Sequence, residues 1–273
     1  MTWSYALSAT LMLIAAPSVG RADDQWQFGS APSFSSGKYG TDTRTEVLHT
    51  PITARRLFDE GDVTLVFPIT CIWGNGDVTV VNGLPVRQQR LANAGVAASR
   101  GVRADASGTS RNCGMGDVIV RGRYYLVDER GWVPTIAIRA HLKTPTADAD
   151  RGLGTGRPDE GVGVEISRTF PGGAIAMVDG GYTLIGKPAG VVFVNNWWYD
   201  IGIGQDLAKG AVNLSVFFEE YRSILPGLAN ARDVLAAVSL KGANGWRIQL
   251  SADVGLSDGA PDHGVTFGAS RRF

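Results

Sequence analysis

The chain has 273 residues, with Lys plus Arg and Asp plus Glu balanced at 26 each, and 36 Gly beside 7 Trp, 7 Tyr and 10 Phe. Balanced charge excludes the broad basic surface that phosphate neutralisation requires, so no nucleic-acid partner is expected. Past the N-terminus no apolar run approaches the ~18 residues of a membrane-crossing helix, which excludes helical membrane proteins but leaves strands available.

Met1 to Ala22 reads as an export signal. An apolar run from Ala6 to Ala16 ends at Pro17, and Gly20 and Ala22 place small side chains where a signal peptidase cuts. Cleavage is expected before Asp23, leaving residues 23–273 as the mature chain; an uncut anchor is the alternative.

Twelve candidate strands follow, beginning near Gln25, Thr43, Asp62, Met115, Gly131, Gly161, Gly173, Val191, Ala211, Ala231, Gly245 and Val265. The period of two is plain from Gly116, where Val118, Val120, Tyr124 and Leu126 oppose Asp117, Arg121, Arg123 and Tyr125. Next, Trp132, Ile136, Ile138, Ala140 and Leu142 oppose Thr135, Arg139, His141 and Lys143. Trp246, Ile248, Leu250, Ala252, Val254 and Leu256 alternate most cleanly, against Arg247, Gln249, Ser251, Asp253 and Gly255.

Such strands run to roughly 10 to 14 residues, longer than the usual ~5 or 6 and enough for the ~9 to 11 of a tilted membrane-crossing strand. Their polar face is too charged for a shared dry core and must meet water, so the apolar face is left for lipid. The fold expected is all-β: an antiparallel transmembrane barrel of about twelve strands, closed because an unpaired backbone group in hydrocarbon costs several kcal/mol. Connection lengths fit. Tight, glycine-bearing turns fall around Gly61, Asp128 to Gly131, Pro171 to Gly173, Ala208 to Gly210 and Lys241 to Gly245, on the expected periplasmic side. Between them lie Gly74 to Gly114, Thr144 to Glu160, Ser223 to Asn230 and Ser257 to Gly264, with Lys187 to Gly190 as a short exception. Residues 74–114 are the long extracellular loop. Trp132, Trp197, Trp198, Tyr199 and Trp246 are candidates for interface girdles, with core packing or lumen lining equally open to Trp197 and Tyr199.

The chain ends on Phe273, in line with Val265, Phe267 and Ala269 on a last alternating strand, although Arg271 stands where an apolar or aromatic residue usually does. A terminal aromatic on a last strand is similar to the signal read by the barrel-assembly machinery of a Gram-negative outer membrane. Gly114 to Leu126, Lys143 to Gly163, Gly180 to Gly186, Tyr199 to Gly204 and Gly255 to Phe273 together resemble the family of outer-membrane transporters grouped as MetA-pathway of phenol degradation proteins. The resemblance implies a barrel with a transport role for aromatic or other small organic compounds, and brings no catalytic residues.

Cys71 and Cys113 flank the long loop, and export to an oxidising compartment makes a disulfide between them the expectation, worth up to ~4 kcal/mol in the chain-entropy model. Two buried free thiols are the alternative. Three scattered histidines and the lack of C-x-x-C or H-E-x-x-H spacing leave no metal or cofactor site expected. His141 reads as a hydrated lumen residue and His263 as part of a turn. Asp148, Asp150, Asp159 and Glu160 lack EF-hand spacing and read as a solvated loop.

Strand parity turns Asp117, Arg121, Arg123, Arg139, His141 and Lys143 inward, and likewise Glu165, Asp179, Glu219, Arg247 and Asp253. Mixed signs predict weak ion selectivity, or pairing that holds the wall in shape. Twelve strands imply a narrow pore. The function expected is a non-enzymatic outer-membrane channel whose partners are small solutes, lipid and the assembly machinery. The competing readings are a structural or adhesive barrel displaying its long loop, and a membrane-embedded lipid hydrolase. The last needs a Ser and His on adjacent strands at the rim, and none stands out.

Overall fold

The computed structural model describes residues 25–74, 78–81, 84–87 and 110–273. The expected export signal lies outside the described residues, as does most of the long loop between Gly74 and Gly114.

In chain order the strands are β1 (Gln25–Ser30), β2 (Ser33–Gly37), β3 (Thr45–Phe58), β4 (Gly61–Gly74), β5 (Val78–Val81), β6 (Leu84–Arg87), β7 (Ser110–Met115) and β8 (Ile119–Val127). They continue as β9 (Thr135–Lys143), β10 (Asp159–Thr169), β11 (Ala174–Leu184), β12 (Asn196–Leu207), β13 (Val212–Tyr221), β14 (Ala231–Lys241), β15 (Trp246–Gly255) and β16 (His263–Arg272). Apart from β5 and β6, which pair only with each other, they form one fourteen-stranded antiparallel sheet. β1 and β2 are two halves of one wall strand, interrupted at Ala31 and Pro32, and β7 and β8 are two halves of another, so the wall counts twelve. It closes because β1 and β2 pair with both β3 and β16. The last amide, of Phe273, donates to the Trp26 carbonyl at 2.8 Å and completes the seam.

The period of two sorts each strand. On β15, Ile248, Leu250 and Val254 face out and are exposed, whereas Gln249, Ser251 and Asp253 face in and are buried. Large apolar side chains stand out all around the wall, among them Leu65, Ile138, Val162, Ile203, Leu214 and Phe267. A continuous exposed apolar band of this kind has no place on a water-facing surface and suits hydrocarbon.

Aromatics mark one edge of the band. Trp26, Phe58, Trp132, Phe170, Trp246 and Phe273 stand exposed at the end of the tight turns, here the turn end. Outward arginines lie over their rings: Arg56 over Trp26 at 5.2 Å, Arg168 over Trp132 at 4.7 Å and Arg271 over Phe273 at 4.7 Å. These cations keep their charge at the headgroup level while their stems cover apolar surface. From Trp246 to Leu256 a tilted strand rises about 25 Å, the height of a barrel's apolar band.

Two sequence expectations are corrected. Val191 does not open a strand. β12 starts at Asn196, and the apolar run before it folds over the opposite, loop end, where Phe193 packs on Ile185 and Ile224 and the Val194 amide bonds the Ile224 carbonyl at 2.8 Å. An apolar run has the same pattern whether it enters a wall or covers its rim, and this correction removes the short exception among the loops. Trp132 lies in a turn before β9, which starts at Thr135; Arg130 and Val133 bond each other across it.

If the apolar band meets hydrocarbon, Leu250→Arg destabilises the folded barrel by about 2–4 kcal/mol, as for an arginine on a barrel's lipid face. Urea unfolding in lipid vesicles measures it; an unchanged midpoint would show that Leu250 does not face lipid.

Candidate functional site: the barrel interior

Residues directly opposite on paired strands share a face, so the register lays out the inner wall in rows. One row runs Asp62, Arg123, Arg139, Gly163, Gly181, Trp198 and Tyr221 across β4, β8, β9, β10, β11, β12 and β13. Opposite charges pair between it and its neighbouring rows. Asp62 Oδ2 accepts from Arg55 at 2.5 Å and from Arg123 Nη2 at 2.7 Å; Arg123 reaches Glu165 at 3.4 Å; Arg139 lies 4.0 Å from Glu165 and is paired with Asp179. All six are buried. A buried charge is tolerated only with a partner, and the planar guanidinium can hold two carboxylates at once, which suits arginine to the middle of such a chain.

Trp198 occupies the same row without projecting from it. Gly163 and Gly181 leave the inner wall bare beside it, and a Cβ at either would run into the indole ring. The ring thus lies along the wall, 5.3 Å from the Arg139 guanidinium and stacked on Tyr221. His141 over Gly161 and Phe217 over Gly202 repeat the device.

A second row is acidic: Glu165, Asp179, Asp200, Glu219 and Asp233 stand directly opposite one another across β10 to β14. Asp253 on β15 lies close enough to act electrostatically on Glu219 and Asp233. Asp200 and Asp233 escaped the sequence reading, although strand parity alone would have placed them inward. A third row is basic, running Arg272, Gln27, Arg55, Thr64, Arg121 and His141 across β16, β1, β3, β4, β8 and β9. Arg247 is half-buried at the turn end of β15, within electrostatic reach of Arg272 and Arg55. Arg121 and His141 are likewise half-buried. His49, also missed, is buried with Nδ1 2.9 Å from Thr70 Oγ1. Below the acidic row, Ile175, Met177, Phe217 and Leu235 form an apolar patch on the inner wall.

At the loop end Lys143 is fully buried between Asp117 at 3.0 Å and Asp159 at 2.7 Å, and donates to Thr155 Oγ1 at 3.0 Å. Asp159 is therefore corrected: it opens β10 and holds an ion pair instead of lying in a solvated loop. Residues 144–158 fold over the mouth, with Leu153 buried among Val47, Ile72 and Val80 and the Gly152 carbonyl accepting from Thr79 Oγ1 and the Val80 amide. Asp148 caps a single helical turn there, and Asp150 and Glu160 stay exposed. Cys71 and Cys113, opposite each other on β4 and β7, form a disulfide.

Trp198, and not Trp197 or Tyr199, is the aromatic of β12 that turns inward; those two stack on each other with ring centroids 6.1 Å apart. Among the described residues no group of three or more His, Cys, Asp and Glu is arranged to hold a metal ion. The register does set Ser36 opposite His263 near the rim, a pairing the sequence did not show. Ser36 is buried and its hydroxyl accepts from Arg44 at 2.8 Å, so it is not presented to a substrate as a nucleophile.

A family model described as "Putative MetA-pathway of phenol degradation" matches residues 60–273. Among solved structures, an outer membrane channel of Pseudomonas putida F1 superposes with a TM-score of 0.66 at 10% identity, over 95% of this chain and 100% of that one. The KdgM porin gives a TM-score of 0.49 at 8% identity over 90% and 99%, and the CymD monoaromatic hydrocarbon channel 0.47 at 8% over 92% and 88%. The first of these shows the shared barrel fold. No curated protein sequence matches this chain.

Removing Asp62 leaves Arg55 and Arg123 facing each other without their shared carboxylate, so Asp62→Ala destabilises the barrel by about 3–5 kcal/mol. A loss below about 1 kcal/mol in vesicle unfolding would show instead that water screens this cluster. Replacing both cysteines by serine costs up to about 4 kcal/mol, less whatever the existing β4–β7 pairing already restrains. Peptide mapping without reductant should recover the two half-cystines as one linked species.

Proposed function

This chain belongs to the MetA-pathway of phenol degradation family, and we propose that it works as an outer-membrane channel for small organic solutes. The observation that carries the reading is the two-faced wall: a closed sheet with apolar side chains outside and a dense array of Asp, Glu and Arg inside. Only a barrel crossing a bilayer has a use for both faces at once.

The turn end is then periplasmic and the loop end faces outward, with residues 144–158 and the β5–β6 ribbon narrowing the outer mouth. Solute passes down the interior by diffusion, along the inward charges Asp117, Arg121, Arg123, Arg139, His141 and Lys143 on one side and Glu165, Asp179, Glu219, Arg247 and Asp253 on the other. The family's description points to aromatic compounds such as phenols as the class to test first. Residues 1–22 would direct export and be removed, and Phe273, whose amide closes the seam on Trp26, would present the C-terminal strand to the assembly machinery of a Gram-negative outer membrane.

Purified, folded protein in planar bilayers should give discrete conductance steps, and liposomes containing it should swell in small neutral solutes. A folded barrel that gives neither is not a channel.

A further inference from the structure

The inward charges are not mixed at random around the wall. Across β10 to β14 the acidic row places Glu165, Asp179, Asp200, Glu219 and Asp233 side by side. By strand parity Lys241 and Arg247, opposite each other at the turn end, are the only inward Lys or Arg among the described residues of β10 to β15. The rest of the circumference, β16 and β1 through β9, turns in Arg55, Arg121, Arg123, Arg139 and Arg272 against Asp62 and the mouth residue Asp117. Pairing takes place along the seam, where Arg123 and Arg139 meet Glu165 and Asp179.

Away from that seam, on β13 and β14, Glu219 and Asp233 face only other carboxylates, while Asp200 on β12 still feels Arg139 and Asp253 on β15 feels His263. Like charges set directly opposite cost stability, so the pairing of Glu219 with Asp233 has no structural benefit of its own. Beside it, both carboxylate oxygens of Asp253 are buried with no hydrogen-bond partner among the described residues, and the facing Ser251 and Thr266 hydroxyls of β15 and β16 are in the same condition. Asp253, Ser251 and Thr266 are each at most 3% exposed. Buried polar atoms left unmatched by the protein call for a partner from outside it.

We propose that the interior is a bipolar passage selective for dipolar solutes: molecules carrying a cationic and an anionic group a few bonds apart, with the ammonium turned to Glu219, Asp233 and Asp253 and the carboxylate to the arginine side. The inference rests on the channel reading and names a solute class for it. A field directed across the passage orients a dipole without favouring either net charge, because low-dielectric walls focus it between the two sides. A zwitterion matches both sides at once; a simple cation or anion matches one and is repelled by the other.

The test uses the full mature protein in liposomes, with swelling measured in β-alanine, a zwitterion, and in lactamide, a neutral solute of the same size. Glu219→Gln combined with Asp233→Asn, and separately Asp253→Asn, should lower the β-alanine rate relative to lactamide by about fivefold, the scale of one lost, partly solvated charge contact. Lactamide entry should stay within about twofold, and folding is verified for each variant by its heat-modifiable migration in SDS gels. A ratio unchanged in both folded variants overturns the proposal while leaving the channel standing. Entry of neither solute into wild-type liposomes overturns the channel reading, and the proposal with it.

Discussion

Buried charge must be neutralised close by, and the inner wall is organised around that necessity. Asp62 between Arg55 and Arg123, then Glu165 and Asp179 around Arg139, form a chain that runs across β3 to β11. Each link crosses between strands, so the pairing fixes register as well as charge: a slip of one residue on β8 would turn Arg123 outward and Tyr124 inward. The outward face imposes no such requirement, because any large apolar side chain serves a lipid tail. The specific information in the sequence is thus concentrated on the inner positions.

The same alternation that makes the fold legible in the sequence also limits what can be read there. Long strands such as β15 declare themselves, because five apolar residues alternate with polar ones and no soluble core has room for both faces. The wall strands and the tight glycine-bearing turns between them are legible for that reason, whereas the closing contact of Phe273 with Trp26 is not. What parity cannot supply is register across strands. Glu165, Asp179, Asp200, Glu219 and Asp233 lie far apart in the chain, and only pairing brings them into one row. Local pattern also fails at the rims. Val191 to Val194 looks like a wall segment but folds over the mouth, and Asp159 looks like a loop carboxylate but is drawn into the pair with Lys143.

Arg271 shows how a residue that departs from a pattern can still serve it. An outward arginine two residues before the last is unexpected on a strand that should be apolar there. Its guanidinium lies over both Phe273 and Trp246, at 4.7 and 5.8 Å from the ring centres. It therefore belongs to the aromatic girdle, and an arginine is compatible with that depth because its head can reach the polar headgroups while its stem stays on the rings.

Trp198 bears on the calibre of the tube. Strand number sets the diameter of the backbone cylinder, but the free bore is whatever the side chains leave over. An indole lying flat on Gly163 and Gly181 takes almost nothing from the radius, whereas the same ring standing upright would reach toward the axis. Two missing methyl groups therefore act as a gauge, and a family of barrels with one common cylinder could be drawn to different calibres by exchanging single glycines under single aromatic rings.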